Sequence, residues 1–157
     1  MLLAIDPGPE QSAIVILDGE KVLQHAKLTN EELVNIIRYR LFHQWLCEVQ
    51  VVIEMIASYG MPVGREVFET CVWIGRFMQA ASGAERIFRS QVKLNLCKSA
   101  KANDATIRAA IIDRYGPGKE KAIGTKKKPG PLYGVKADVW AALAVGLTWN
   151  DLQKGTP

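Results

Sequence analysis

The segment Val49-Gln50-Val51-Val52-Ile53-Glu54 is almost continuously apolar until its last residue, and this run limits the fold more than any other feature of the chain. A strand with one wet face alternates apolar and polar residues, whereas a run without alternation belongs to a central strand covered on both faces. The first thirty residues supply its neighbours. Residues 2–5, 13–17 and 22–26 read as strands, the last two joined by a turn at Asp18-Gly19, and together they form an antiparallel meander.

Thr29-Asn30-Glu31-Glu32 offers a helix cap with carboxylates in the first turn, and Leu33, Ile36, Ile37, Leu41 and Trp45 recur at helical spacing, which predicts a helix over 31–48. After a Gly- and Pro-bearing loop at 58–64, Val67, Val72, Ile74, Gly75, Phe77 and Met78 predict a helix to Ser82, followed by a short strand at Ile87-Phe88. Asn103 caps a further helix through Ile107, Ala110 and Ile111, stopped by Gly116-Pro117. Residues 117–134, rich in Gly, Pro and Lys, are expected to lack regular structure and to form a mobile basic loop. A last helix over 135–149 packs Val135, Val139, Ala142, Leu143 and Val145 inward. These elements predict one α/β domain over 1–157, a mixed five-stranded sheet with a crossover and helices on both faces, in the order of a ribonuclease H-like fold.

A chain of 157 residues, 48% hydrophobic and 23% charged, can bury one core and is not disordered. Its net charge of +4 suits a polyanionic partner without requiring one. The distribution says more. Between Lys93 and Lys136 stand Lys98, Lys101, Arg108, Arg114, Lys119, Lys121 and Lys126-Lys127-Lys128, against only Asp104, Asp113 and Glu120. Cys47, Cys71 and Cys97 are odd in number and widely spaced, so they support neither a disulfide framework nor a zinc site and are expected as reduced, partly buried thiols. No apolar run approaches the roughly 18 residues of a membrane span, and a soluble protein of the cytoplasm is expected.

Asp6, Glu54 and Asp138 are the candidate catalytic residues and metal ligands. Each stands at the carboxyl edge of a core strand or on the first turn of a core-packed helix, where an unpaired charge opposes folding by several kcal/mol and so calls for a partner. Oxygen ligands without neighbouring His or Cys favour hard ions, Mg²⁺ or Mn²⁺, over zinc. Two such ions about 3.5–4 Å apart can activate water and stabilise the leaving oxygen of a phosphodiester.

Ile5-Asp6-Pro7-Gly8, Val52-Ile53-Glu54 and Ala137-Asp138-Val139-Trp140-Ala141-Ala142-Leu143-Ala144 resemble the motifs of RuvC-type Holliday-junction resolvases. The resemblance covers nearly the whole chain. It implies that Asp6, Glu54 and Asp138 bind metal in a homodimer that nicks two opposed strands of a four-way DNA junction. The stretch from Gly124 to Gly134 looks more like the versions carried by bacteriophages than those of bacteria. One departure stands out. Family members commonly carry a second ligand three positions further along the last helix, and here that position is Ala141. Asp104 could contribute instead, Lys136 could contact the phosphate, or three carboxylates plus water could suffice.

Each signal also has a plainer reading. Asp-Pro-Gly is a common turn former, Glu54 could end a strand in water, and Asp138 could be an acid favoured by a helix N-terminus. The three in order on the right elements make a site the better reading. Lys126, Lys127 and Lys128 are by default a solvated loop; with a nuclease site beside them they become phosphate contacts, as do Lys98, Lys101 and Lys136, with Lys101 expected beside the site. Tyr59 and Met61 occupy the loop from which the resembling family presents an apolar or aromatic residue to bases at the junction centre; their plainer role is packing. Trp73, Phe77 and Met78 read as core or dimer contact, Trp45, Trp140 and Trp149 as core, and His25 and His43 carry no catalytic role. The expected function is a Mg²⁺-dependent endonuclease for branched DNA. Its rivals are a non-catalytic junction-binding protein and an RNA-processing nuclease on the same fold.

Overall fold

The computed structural model describes residues 1–42, 49–58, 60 and 62–155. His43, Trp45, Cys47, Tyr59 and Met61, and the expected end of the first helix, lie outside the described residues. Strands β1 (Leu2–Asp6), β2 (Gln11–Asp18) and β3 (Lys21–Thr29) form the meander, and α1 (Asn30–Phe42) leads to β4 (Gln50–Met55). Helix α2 (Arg65–Ala80), β5 (Glu85–Phe88), α3 (Arg89–Cys97), α4 (Asp104–Tyr115), α5 (Lys119–Ala122) and α6 (Val139–Lys154) follow. The sheet order is β3-β2-β1-β4-β5, with β1, β4 and β5 parallel and β2 and β3 antiparallel to their neighbours. This is the mixed five-stranded sheet that the sequence predicts.

Period-two alternation divides the strands between two cores. Leu2, Ala4, Val15 and Val52 face α3, α4 and α6, while Leu3, Ile5, Ile14, Val51 and Ile53 face α1 and α2. That division explains why β4 needs apolar residues at successive positions. Helix α6 lies close against the meander because Gly146 leaves room: a Cβ there would stand 2.7 Å from Leu17 Cδ1 and 3.0 Å from Ala4 Cβ. At the start of α1, Thr29 and Glu32 cap each other reciprocally, the Thr29 backbone N–H donating to the carboxylate at 3.0 Å.

The structure departs from the sequence reading in four places. Helix α3 was not anticipated; it begins directly after β5, where the Phe88 N–H donates to Gln91 Oε1, and it buries only Val92, too little periodicity to read. The last helix starts at Val139, four residues later than expected, although Val135 is buried as predicted. Residues 117–134 are not an unstructured loop. They contain α5 and a tight hairpin closed by backbone bonds between Thr125 and Lys128, Gly130 and Ile123, and Leu132 and Ala122, with Ala122 and Leu132 fully buried. Gly124 permits that closure at φ +70°, where a Cβ would meet Lys128 O at 2.3 Å. Finally, Cys71 is exposed on α2 rather than partly buried, while Cys97 is half-buried. Among the described residues, no helix is long and apolar enough to cross a membrane.

Candidate active site

Parallel pairing of β1 with β4 in the register Ile5↔Ile53 sets the next residues, Asp6 and Glu54, side by side at the carboxyl ends of adjacent strands, the edge where open α/β sheets place ligands. Both belong to the even-numbered set that faces α4 and α6. Asp138 arrives at the N-terminus of α6, directly after Ala137, whose backbone is in the left-handed region at φ +47°. A non-glycine residue there is strained by about 1–2 kcal/mol, and the kink turns the chain so that α6 begins over the strand ends. Asp6, Glu54 and Asp138 thereby line one cleft of about 360 Å³, together with Asp104, Arg89 and Ala141.

The cations of the cleft were not foreseen. Arg89, on the first turn of α3, bonds Asp104 and stands 3.6 Å from Glu54. Lys27, from β3, places Nζ 2.5 Å from Asp138 Oδ2. Arg108, on α4, lies with its guanidinium 4.7 Å above the Trp140 ring. Burial, then the neighbouring charge of Glu54 and a hydrogen bond between the two carboxyls, pushes Asp6 up to about 8, Asp138 adding to the shift and Arg89 opposing it. Burial also raises Glu54, with Arg89 pulling the other way. Asp6 therefore feels the charge of both other carboxylates, Glu54 more than Asp138.

The donor set is all oxygen, partly buried and mutually repelling, which fits a hard divalent ion held by Asp6 with Glu54 or Asp138. Among the described residues no three His, Cys, Asp or Glu side chains stand as a ready metal cluster, and Lys27 and Arg89 engage two of the carboxylates. Of the possible fourth ligands, Asp104 reaches the cleft but is tied to Arg89, and Ala141 offers no donor atom.

Lys98, Lys101, Lys126, Lys127, Lys128 and Lys136 are all exposed, and none is among the residues lining the cleft. The cations that line the cleft are Arg89 and Arg108, not Lys101. Lys126 and Lys127 occupy the tip of the closed hairpin, and Lys98 ends α3 in a left-handed conformation at φ +53°. His25 pairs with the Tyr133 carbonyl at 3.4 Å and takes no part in the cleft.

No family of known sequences matches the chain, and no curated protein matches it. Among solved structures it is similar to Thermus thermophilus RuvC, with 20% identity over 99% of this chain and 96% of that one at a TM-score of 0.59. It is likewise similar to T. thermophilus RuvC in complex with a Holliday junction substrate, with 19% identity, the same coverage and a TM-score of 0.58. At these identities the likeness is one of fold, and it agrees with the ribonuclease H-like architecture.

Proposed function

We propose that this chain is a structure-selective DNA endonuclease that resolves branched DNA, four-way junctions included, by divalent-ion-dependent phosphodiester hydrolysis. The observation that carries the reading is the meeting of Asp6, Glu54 and Asp138 in one cleft at the carboxyl ends of β1 and β4. A fold neighbour captured with a Holliday junction substrate supplies the substrate class. Mg²⁺ or Mn²⁺, when bound, supplies Lewis-acid activation and charge neutralisation at the phosphate. Asp6 and Glu54 would hold the ion, and Asp138 completes the anionic wall of the cleft. Arg108, exposed at the cleft rim, meets the non-bridging phosphate oxygens. Lys98, Lys101, Lys126, Lys127, Lys128 and Lys136 bind backbone phosphates on either side, and Tyr59 presents its ring to unstacked bases. Two copies of the chain act as a homodimer, since a two-fold junction offers two equivalent strands. The work belongs in the cytoplasm, of a host cell if the chain is phage-borne.

Asp6→Asn is expected to lower cleavage of a labelled four-way junction in Mg²⁺ by about a thousandfold or more, because it removes several kcal/mol of transition-state stabilisation. Junction gel shifts in chelator should stay within a few fold, since the substitution also lessens repulsion of phosphate. Cleavage by the variant equal to wild type would remove these residues from the chemistry.

A second reading has its own support. Lys27 on Asp138 and Arg89 on Glu54 neutralise two of the three carboxylates without metal, as a junction-binding protein that had lost catalysis could do. Wild-type protein that shifts a junction but leaves it and a matched RNA uncut in both Mg²⁺ and Mn²⁺ would favour it.

A further inference from the structure

We propose that Lys27 takes the place of a second divalent cation: its ammonium holds Asp138, so that the site takes up one ion, between Asp6 and Glu54, rather than two. The inference rests on the nuclease reading above and concerns the ion count of that same site.

The sheet register carries the argument. Asp6 pairs with Ala13, and Ala13 pairs with Lys27, so the three lie in one row across β1, β2 and β3 with their side chains on one face. Glu54 extends the row on the other side of Asp6. Ala13 is buried and small, and from its partner position on β3 the Lys27 ammonium reaches Asp138 Oδ2 at 2.5 Å. The row therefore offers two half-sites that share Asp6. The one towards Glu54 lies in the cleft with Arg89 3.6 Å from the carboxylate. The other, towards Asp138, is closed by an ammonium at 2.5 Å.

Two further observations agree. Ala141, one turn along α6 from Asp138 and lining the same cleft, supplies no oxygen to the half-site that Lys27 occupies. The charges also limit the ions. With the Asp6 proton displaced on ion uptake, Asp6, Glu54, Asp104 and Asp138 face Lys27, Arg89 and Arg108, leaving one unmatched negative charge that a single divalent ion more than neutralises. A second would sit against Lys27 itself. Lys27 is a positioning residue here: it fixes Asp138 and substitutes for charge.

Titration of the full chain with Mn²⁺, followed by the paramagnetic resonance signal of the free ion, reads the count directly. Wild type should take up one Mn²⁺ per chain, Lys27→Met two, Lys27→Arg one, and Asp6→Asn none in the same concentration range. Lys27 is 44% exposed at its side chain, so the substitutions leave the fold intact, which circular dichroism checks. Two ions on wild type, or one on Lys27→Met, overturns the inference and leaves the nuclease reading in place. Failure of wild type to bind any ion overturns both.

Discussion

At Asp6 the fold keeps a carboxyl between two others and away from water, an arrangement that serves binding at the expense of stability. Its folded pKa is raised to about 8, so between the ordinary carboxyl range and pH 8 the folded chain holds a proton that the unfolded chain has released. Stability of the ion-free protein must therefore fall as pH rises through that window. Asp6→Asn removes the dependence: in chelator its stability relative to wild type should rise between pH 5 and pH 9 by up to about 4 kcal/mol. Urea unfolding at the two pH values measures the difference, and an equal gap at both would show that Asp6 is not held neutral by its surroundings. Asp6 and Glu54 were legible in sequence because each follows an apolar strand run. Lys27 was not. The turn at Asp18-Gly19 would by itself pair Ala13 with Ala26, but the register shifts between Ile16 and Leu17, and the extra residue brings Lys27 opposite Ala13 instead. A one-residue slip exchanges the faces of a strand, so a bulge that leaves no local signal decides which side chain enters the site.

Elements at the opposite end of the sheet are joined by a different charge group. Arg114 of α4 donates to both oxygens of Asp151 on α6, at 2.7 and 2.8 Å, and to Glu20 in the β2–β3 turn at 2.7 Å. Asn95 of α3 reaches the same Asp151 carboxylate at 2.8 Å, and Tyr115 donates to the Glu20 carbonyl. Hydrogen bonds from Arg114 hold both Asp151 and Glu20 below the usual carboxylate range. Depressed acids contribute stability that is present above their ordinary pKa and lost as pH falls through the folded value. Arg114→Met should therefore cost about 1–3 kcal/mol at neutral pH, with Asp151 contributing more than the half-exposed Glu20, and the gap should close as pH falls below 4. Thermal unfolding of both proteins over that range tests it; a constant gap would place the cost in packing. None of this was readable in the sequence, since the partners lie up to 95 positions apart and α3 gave too few buried residues to register as a helix. The strands and long helices, by contrast, declared themselves through period and caps.

Over the whole molecule, the outer surface is where the proposed homodimer and the proposed DNA contacts are tested. Helix α2 turns Phe68 and Val72 outward at 62% and 63% exposure, beside one another on one face. If that face joins two copies, Phe68→Glu with Val72→Glu should yield a monomer by sedimentation; an unchanged dimer would place the interface elsewhere. Under the proposed function, the basic hairpin is a contact for DNA. Residues 117–134 were read as mobile because Gly, Pro and Lys dominate them, yet three of those glycines and prolines build the closure: Gly124 and Gly130 pass too close to backbone for a side chain, and Pro129 bridges to Gly124. Composition thus marked a turn-rich segment correctly and missed its folded structure, because Leu132 and Ala122, two small apolar signals, anchor it to the core. A hairpin already folded presents Lys126, Lys127 and Lys128 without ordering them on contact, so their whole electrostatic gain appears in affinity. Each phosphate they neutralise adds about 0.9 to the slope of log affinity against log salt. Replacing all three by Ala should flatten the slope for a four-way junction by about 2–3 and leave the melting temperature unchanged, since the side chains are exposed. A slope that does not move would make the lysines a solvated tip and leave DNA holding to Lys98, Lys101, Lys136 and Arg108.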